Sequence, residues 1–405
     1  MITLRRLSSR AGTAAAVGVL AVAGTAGTHA TAAAGGHPAS VAGASYVRQH
    51  LVTDGALPSK GGSTHYMYVD EGYPGGGSGT DNIDVYTISG TKVTNTQTFA
   101  TGADQTNAYF GSNTLALRAG GGGNTECLIL ADIGHTMIRS YSVSTGGQIT
   151  GQVSAVADPN GYIPEDVVVS SNGSWAFLVD SSNYISTWDI SSSCALTYAS
   201  SSTGATDGPN YVNAALYSTT DLVATDQANQ NFDTYSINPS TGALTFVASA
   251  RSTLIEPDGI TISGKDLFSG NLFGPTSLQG GTYSPSGTIS NFTGSPAQDA
   301  KGPYGVPVAF DSKHSFAIEG DEAASSLLSN FHLVKTTISF KGETKLQGKS
   351  EFTNALTVLG TQLFVDGVVN GDIEACKLGK SGATGCKTVA VLPNAAGYSG
   401  GLVIL

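Results

Sequence analysis

A short apolar strand that closes on an acid or a small residue recurs seven times along this chain. That recurrence constrains the fold more than any single motif. The copies occupy 66–70, 127–132, 175–180, 221–226, 266–270, 314–319 and 362–366, and six of them end in an acid: Asp70, Asp132, Asp180, Asp226, Glu319 and Asp366. After a longer first step the spacing settles in the forties of residues, the length of a four-stranded propeller blade. Two Gly-rich insertions, 75–79 and 120–123, account for the long first step. The third unit reads most cleanly. Residues 165–170 form a nearly continuous apolar strand, Asn172-Gly173 carries a hairpin signal, 175–180 is the second strand, 184–190 alternates, and 195–199 closes the unit.

Seven such units predict an all-β, seven-bladed propeller over 63–405, within the usual range of four to eight blades. The first unit lacks an inner strand, because the residues before His65 are rich in Gly and Ser. The chain ends in an apolar strand, Gly401-Leu-Val-Ile-Leu405, that has no unit of its own. The two defects complement each other, so the C-terminal strand is expected to complete the first blade and close the ring. Closure removes the open sheet edges that invite aggregation.

The N-terminus reads as a targeting segment. Arg5, Arg6 and Arg10 precede an uncharged run of Ala, Val, Leu, Gly and Thr, and small residues around Ala30–Ala34 suit signal peptidase. Residues 1–34 are therefore expected to be a secretory signal and 35–62 a flexible segment. Export permits disulfides. Cys376 and Cys386 are close enough to join the strands of one hairpin, and Cys127 and Cys194 would form a longer-range pair, although four cysteines allow three pairings. No C-x2-C pair or spaced His motif supports a metal site, and no cofactor is expected. The net charge is −11, and it becomes more negative once the basic leader is removed. Such a chain repels nucleic acids and anionic membranes. No stretch is apolar for long enough to insert in a membrane, and a monomer is expected.

Residues 222–244, Leu-Val-Ala-Thr-Asp-Gln-Ala-Asn-Gln-Asn-Phe-Asp-Thr-Tyr-Ser-Ile-Asn-Pro-Ser-Thr-Gly-Ala-Leu, resemble a blade of the seven-bladed lactonase family. That family includes 6-phosphogluconolactonase-like and carboxymuconate cycloisomerase-like proteins. The resemblance extends weakly over 60–405 and supports the fold more than an activity. In that family a His commonly follows the Pro that opens an inner strand. Here Pro164, Pro209, Pro257 and Pro303 are followed by Glu165, Asn210, Asp258 and Tyr304. Arginines for an anionic substrate are also scarce, which argues against a phosphorylated sugar lactone.

These Pro-polar steps should line one mouth of the central channel. Glu165, Asp166, Asn210, Tyr211, Glu256, Asp258, Tyr304 and Tyr398 are the expected rim, with Arg251 in the same class of loop. Carboxylates, amides and aromatic rings around a concavity suit a polar small molecule or a carbohydrate. The leading expectation is an extracellular binding scaffold for such a ligand, or for a protein partner. The alternative is a lactone hydrolase or cycloisomerase with Glu165 or Asp258 as general base and Arg251 as electrostatic partner. The recurring strand-end acids are expected to accept backbone N–H groups in their own turns.

Overall fold

The computed structural model describes residues 64–71, 81–103, 114–120, 125–204, 208–272, 277–298, 305–321, 326–348, 353–367, 371–392 and 399–405. The expected leader, the 35–62 segment and most of the two Gly-rich insertions lie outside these residues, as do Tyr304 and Tyr398.

Seven antiparallel four-stranded blades follow one another along the chain. The first holds β1 (His65–Glu71), β2 (Asn82–Ser89) and β3 (Lys92–Ala100). The second runs β4 (Leu115–Arg118), β5 (Glu126–Asp132), β6 (Met137–Val143) and β7 (Ile149–Ala157). The third runs β8 (Pro164–Val169), β9 (Trp175–Asp180), β10 (Tyr184–Ile190) and β11 (Leu196–Thr203). The fourth runs β12 (Tyr211–Leu216), β13 (Asp221–Asp226), β14 (Asn231–Ile237) and β15 (Leu244–Arg251). The fifth has β16 (Pro257–Ser263), β17 (Asp266–Asn271), β18 (Leu278–Ser284) and β19 (Thr288–Asn291). The sixth has β20 (Gly305–Asp311), β21 (Phe316–Asp321), β22 (Leu327–Val334) and β23 (Thr337–Lys345). The seventh has β24 (Thr353–Leu359), β25 (Gln362–Gly367), β26 (Asp372–Gly379) and β27 (Gly382–Val391).

The last strand, β28 (Ser399–Ile404), pairs with β1 and is the inner strand of the first blade. The ring therefore closes as the sequence predicts. The second strands are buried along nearly their whole length, as in β9 and β13. Each is covered on both faces by neighbouring blades, which is why their sequences are almost continuously apolar. The fourth strands alternate exposed and half-buried residues, as in β3 and β7.

Seven hydrophobic clusters fill the seven seams between blades. At the closing seam, Met67, Val69, Leu402 and Ile404 of the first blade pack with Phe364, Ile373 and Leu392 of the seventh. At the seam of the third and fourth blades, Phe177 and Val179 meet Tyr211, Leu222 and Tyr235. Burying one such side chain contributes about 1.5–3 kcal/mol, so each seam is a substantial part of the stability.

Both cysteine pairs are disulfides. Cys127 on β5 bonds Cys194 in the β10–β11 turn, which ties the second blade to the third. Cys376 bonds Cys386 across the β26–β27 hairpin of the seventh blade. Arg118 is buried beside the first disulfide and donates to the carbonyl oxygens of Ser191 and Thr125, each at 2.6 Å.

Two strand assignments shift. The sixth blade's second strand begins at Phe316, two residues after the expected start, because His314 belongs to the preceding turn. There its Nδ1 lies 2.7 Å from Asp311 Oδ2. By register, the position that Asp180 and Asp226 hold opposite their inner strands is taken by Asp321 in the sixth blade, not by Glu319. In the fifth blade it is taken by Asn271.

Candidate functional site

Inner strands in six blades carry a register break near their first residue, between Pro164 and Asp166, Tyr211 and Asn213, Pro257 and Ile260, Gly305 and Val308, Thr353 and Ala355, and Ser399 and Gly401. A bulge of this kind re-aims the side chains around it. Glu165 and Asp258 occupy matching places in it, one residue after the proline that opens β8 and β16. Gly259 follows at the only kind of residue that fits. A Cβ there would overlap the carbonyl oxygen of Val306 on the next blade.

The strand-end acids hold the chain at this end of the ring. Asp226 accepts N–H bonds from Asn210 and Asn229, each at 3.1 Å, and Asn271 Oδ1 accepts the Glu256 N–H at 3.0 Å. Asp132 plays the same part in the second blade, accepting from the backbone N–H of His135 and from Arg139 Nε at 2.6 Å. The backbone bonds to Asp132 and Asp226 are the turn-capping role expected of these acids.

Asp258 is a strongly perturbed carboxyl among the expected site residues. It is 3% exposed. Asn213 Nδ2 donates to its Oδ1 at 2.8 Å, and Gln227 Nε2 donates to its Oδ2 at 2.8 Å. Burial pushes its carboxyl up to about 7. The amide of Asn213 opposes that rise, the charge of Glu256 adds to it, and the amide of Gln227 opposes it. Burial also raises Glu256 above the usual carboxylate range. Gln227 receives a bond from Asn210 Nδ2 at 3.2 Å and gives one to Asp258. Asn210, Gln227 and Glu256 are half-buried and so more exposed than Asp258.

The other expected residues divide. Glu165 is buried on β8 at 4% exposure. Asp166 is fully buried, and its Oδ2 accepts the Ala214 N–H at 2.8 Å, which staples β8 to β12. Tyr211 turns away from the rim. It is fully buried in the seam between blades, with its hydroxyl 2.8 Å from Asp233 Oδ2 and 2.6 Å from the Tyr235 hydroxyl. The bulge after Tyr211 decides this, since one residue of slip sends a strand side chain to the other face. Arg251 ends the outer strand β15. Its guanidinium donates to the Asn229 carbonyl and, at 2.7 Å, to Gln230 Oε1. It braces the β13–β14 turn from outside, and the charged neighbour that acts on Asp258 is Glu256.

Gln227 and Asn213 escaped the sequence reading. Gln227 directly follows the strand-end acid Asp226, and this position in the turn was the signal available for it. Asn213 gave no comparable signal, because the bulge hides its facing.

No family model matches the chain, and no curated protein matches it in sequence. Solved structures do match. A Lactobacillus plantarum protein is 14% identical with a TM-score of 0.66, covering 84% of this chain and 99% of that one. A candidate 6-phosphogluconolactonase of Bacteroides fragilis is 13% identical with a TM-score of 0.65, covering 85% of this chain and 98% of that one. A periplasmic gluconolactonase of Pseudomonas aeruginosa is 14% identical with a TM-score of 0.64, covering 85% and 99%. At such identities the likeness carries the fold and not the activity. This chain is a seven-bladed β-propeller with the fold of the 6-phosphogluconolactonase-like proteins.

Proposed function

We propose that the protein is an exported, lactonase-like propeller that binds a polar, hydroxyl-rich small molecule at the mouth formed by its fourth and fifth blades. The observation that carries this reading is the run Asn210–Gln227–Asp258–Asn213. It offers amide groups at the surface and fixes them from below by a buried carboxyl. Pre-set donors and acceptors of this kind orient a ligand at little entropic cost. The two disulfides and the likeness to a periplasmic gluconolactonase are consistent with export.

A second reading, lactone hydrolysis with Asp258 as general base, is favoured by one observation. A carboxyl that titrates near 7 is matched to proton transfer at neutral pH. Binding fits the geometry better, because both Asp258 oxygens are engaged by amides and the group is almost fully covered.

Calorimetric titration with neutral sugars and aldonolactones tests both. Binding that Gln227→Leu weakens about tenfold or more supports the site. Lactone ring opening abolished by Asp258→Asn moves the assignment to the hydrolase. Binding indifferent to Gln227 and Asp258 rules the site out.

A further inference from the structure

Tyr162 is 43% exposed, among the most exposed large apolar or aromatic side chains described. It stands two residues before Pro164, in the connection that delivers Glu165 to the mouth. Its ring stacks on Tyr184 with centroids 5.6 Å apart and planes inclined by 22°. Stacking backs the Tyr162 ring with the half-buried Tyr184, and Tyr162 keeps its other surface partly open to solvent.

The surroundings of this plane are polar and built. Asn160 Nδ2 donates to Ser186 Oγ at 2.8 Å, and Ser186 Oγ donates to the buried Asp158 at 3.0 Å. A relay of hydrogen bonds links the connection that carries Tyr162 to the site at Asp258. Ser181 N–H bonds the Ile163 carbonyl at 2.8 Å, and Tyr211 N–H bonds the Ser182 carbonyl at 3.3 Å. Asn210, next to Tyr211, bonds Gln227, and Gln227 bonds Asp258. A continuous rim thus leads from the tyrosine pair across the fourth blade to Asp258. At its far side Ile255, 46% exposed, stands two residues before Pro257, as Tyr162 stands before Pro164.

We propose that the Tyr162–Tyr184 pair is a sugar-stacking platform, and that the ligand is a neutral saccharide of at least two rings lying along this rim. A pyranose has an apolar C–H face and a hydroxylated edge. The tyrosine plane takes the face, and the amides of Asn160, Asn210 and Gln227 take the edges. The platform rests on the mouth-binding reading, which it makes specific.

Saturation-transfer NMR and calorimetry with maltose, cellobiose, lactose and sucrose test it. Sorbitol, which has the hydroxyls without a ring, is the control. At least one disaccharide is expected to bind and sorbitol is not. Tyr162→Ala should weaken that disaccharide about tenfold or more, and Tyr162→Phe should keep it within about threefold. Thermal unfolding of each variant confirms that the fold is intact. Loss in Gln227→Leu with no change in Tyr162→Ala overturns the platform and leaves the mouth site standing. Loss in Tyr162→Ala with no change in Gln227→Leu overturns the mouth site and with it a ligand that runs from the tyrosine pair to Gln227. Absence of disaccharide binding to the unaltered protein, or equal binding of sorbitol, overturns the platform.

Discussion

Asn213 on the fourth blade donates its side-chain amide to Asp258 on the fifth at 2.8 Å, so a buried carboxyl with a strongly raised titration point is held by the neighbouring blade. The contact joins fold and site, because the bulges at the start of the inner strands lie at these two residues. Replacing Asn213 by Ala leaves the buried Asp258 with one amide fewer. The expected cost is about 1–3 kcal/mol. The carboxyl should also titrate higher, since this bond favours its charged form. Urea unfolding reads the first effect and carboxyl-carbon NMR the second.

Stability should fall as pH rises. Asp258 keeps its proton up to about 7 in the folded chain, against an ordinary value of 3.8. Between those values the folded state binds more protons than the unfolded one, so its contribution is complete below the lower value and is lost as pH passes the upper. Asp180, raised to about 9 by burial and by facing Asp158, extends the trend to alkaline pH. The melting temperature is expected to drop from pH 5 to pH 8, and Asp258→Asn to flatten the fall below pH 7. A melting temperature that climbs over that interval counts against these assignments.

Ring closure has a direct consequence. Leu402, Val403 and Ile404 are each at most 8% exposed and complete the first blade. Losing them removes about 1.5–3 kcal/mol apiece, from a total that in most domains is about 5–15 kcal/mol. A chain ending at Gly401 should bind a hydrophobic dye and lose its cooperative melt.

The two disulfides should differ in weight. Cys127–Cys194 closes a separation of 67 residues and joins two blades, whereas Cys376–Cys386 spans 10 residues within one hairpin. Loop-closure entropy makes the longer one worth more. Replacing Cys127 and Cys194 by Ser should lower stability by about 2–5 kcal/mol, and the Cys376, Cys386 pair by less. Equal losses in urea unfolding would mean that chain entropy is not the main term.

Much of the architecture was legible from residues such as 127–132 and 175–180, because a strand covered on both faces writes its burial as an unbroken apolar run. The site was harder to read. Its bulges break the two-residue period on which strand reading depends, so Tyr211 was placed on the rim when it fills a seam, and Asn213 was missed. Arg251 was grouped with the mouth by its position in the chain, yet a long side chain at the end of an outer strand reaches the adjacent turn first. Asp132 and Asp226 do accept backbone N–H groups in their own turns, because a turn imposes that role locally.

The most direct measurement is calorimetric titration of the intact protein and of its Gln227→Leu variant with neutral sugars and aldonolactones. Saturable binding by the first, weakened about tenfold or more in the second, is the predicted result. Equal affinity in both proteins, or no binding to either, would contradict a ligand site at the mouth of the fourth and fifth blades.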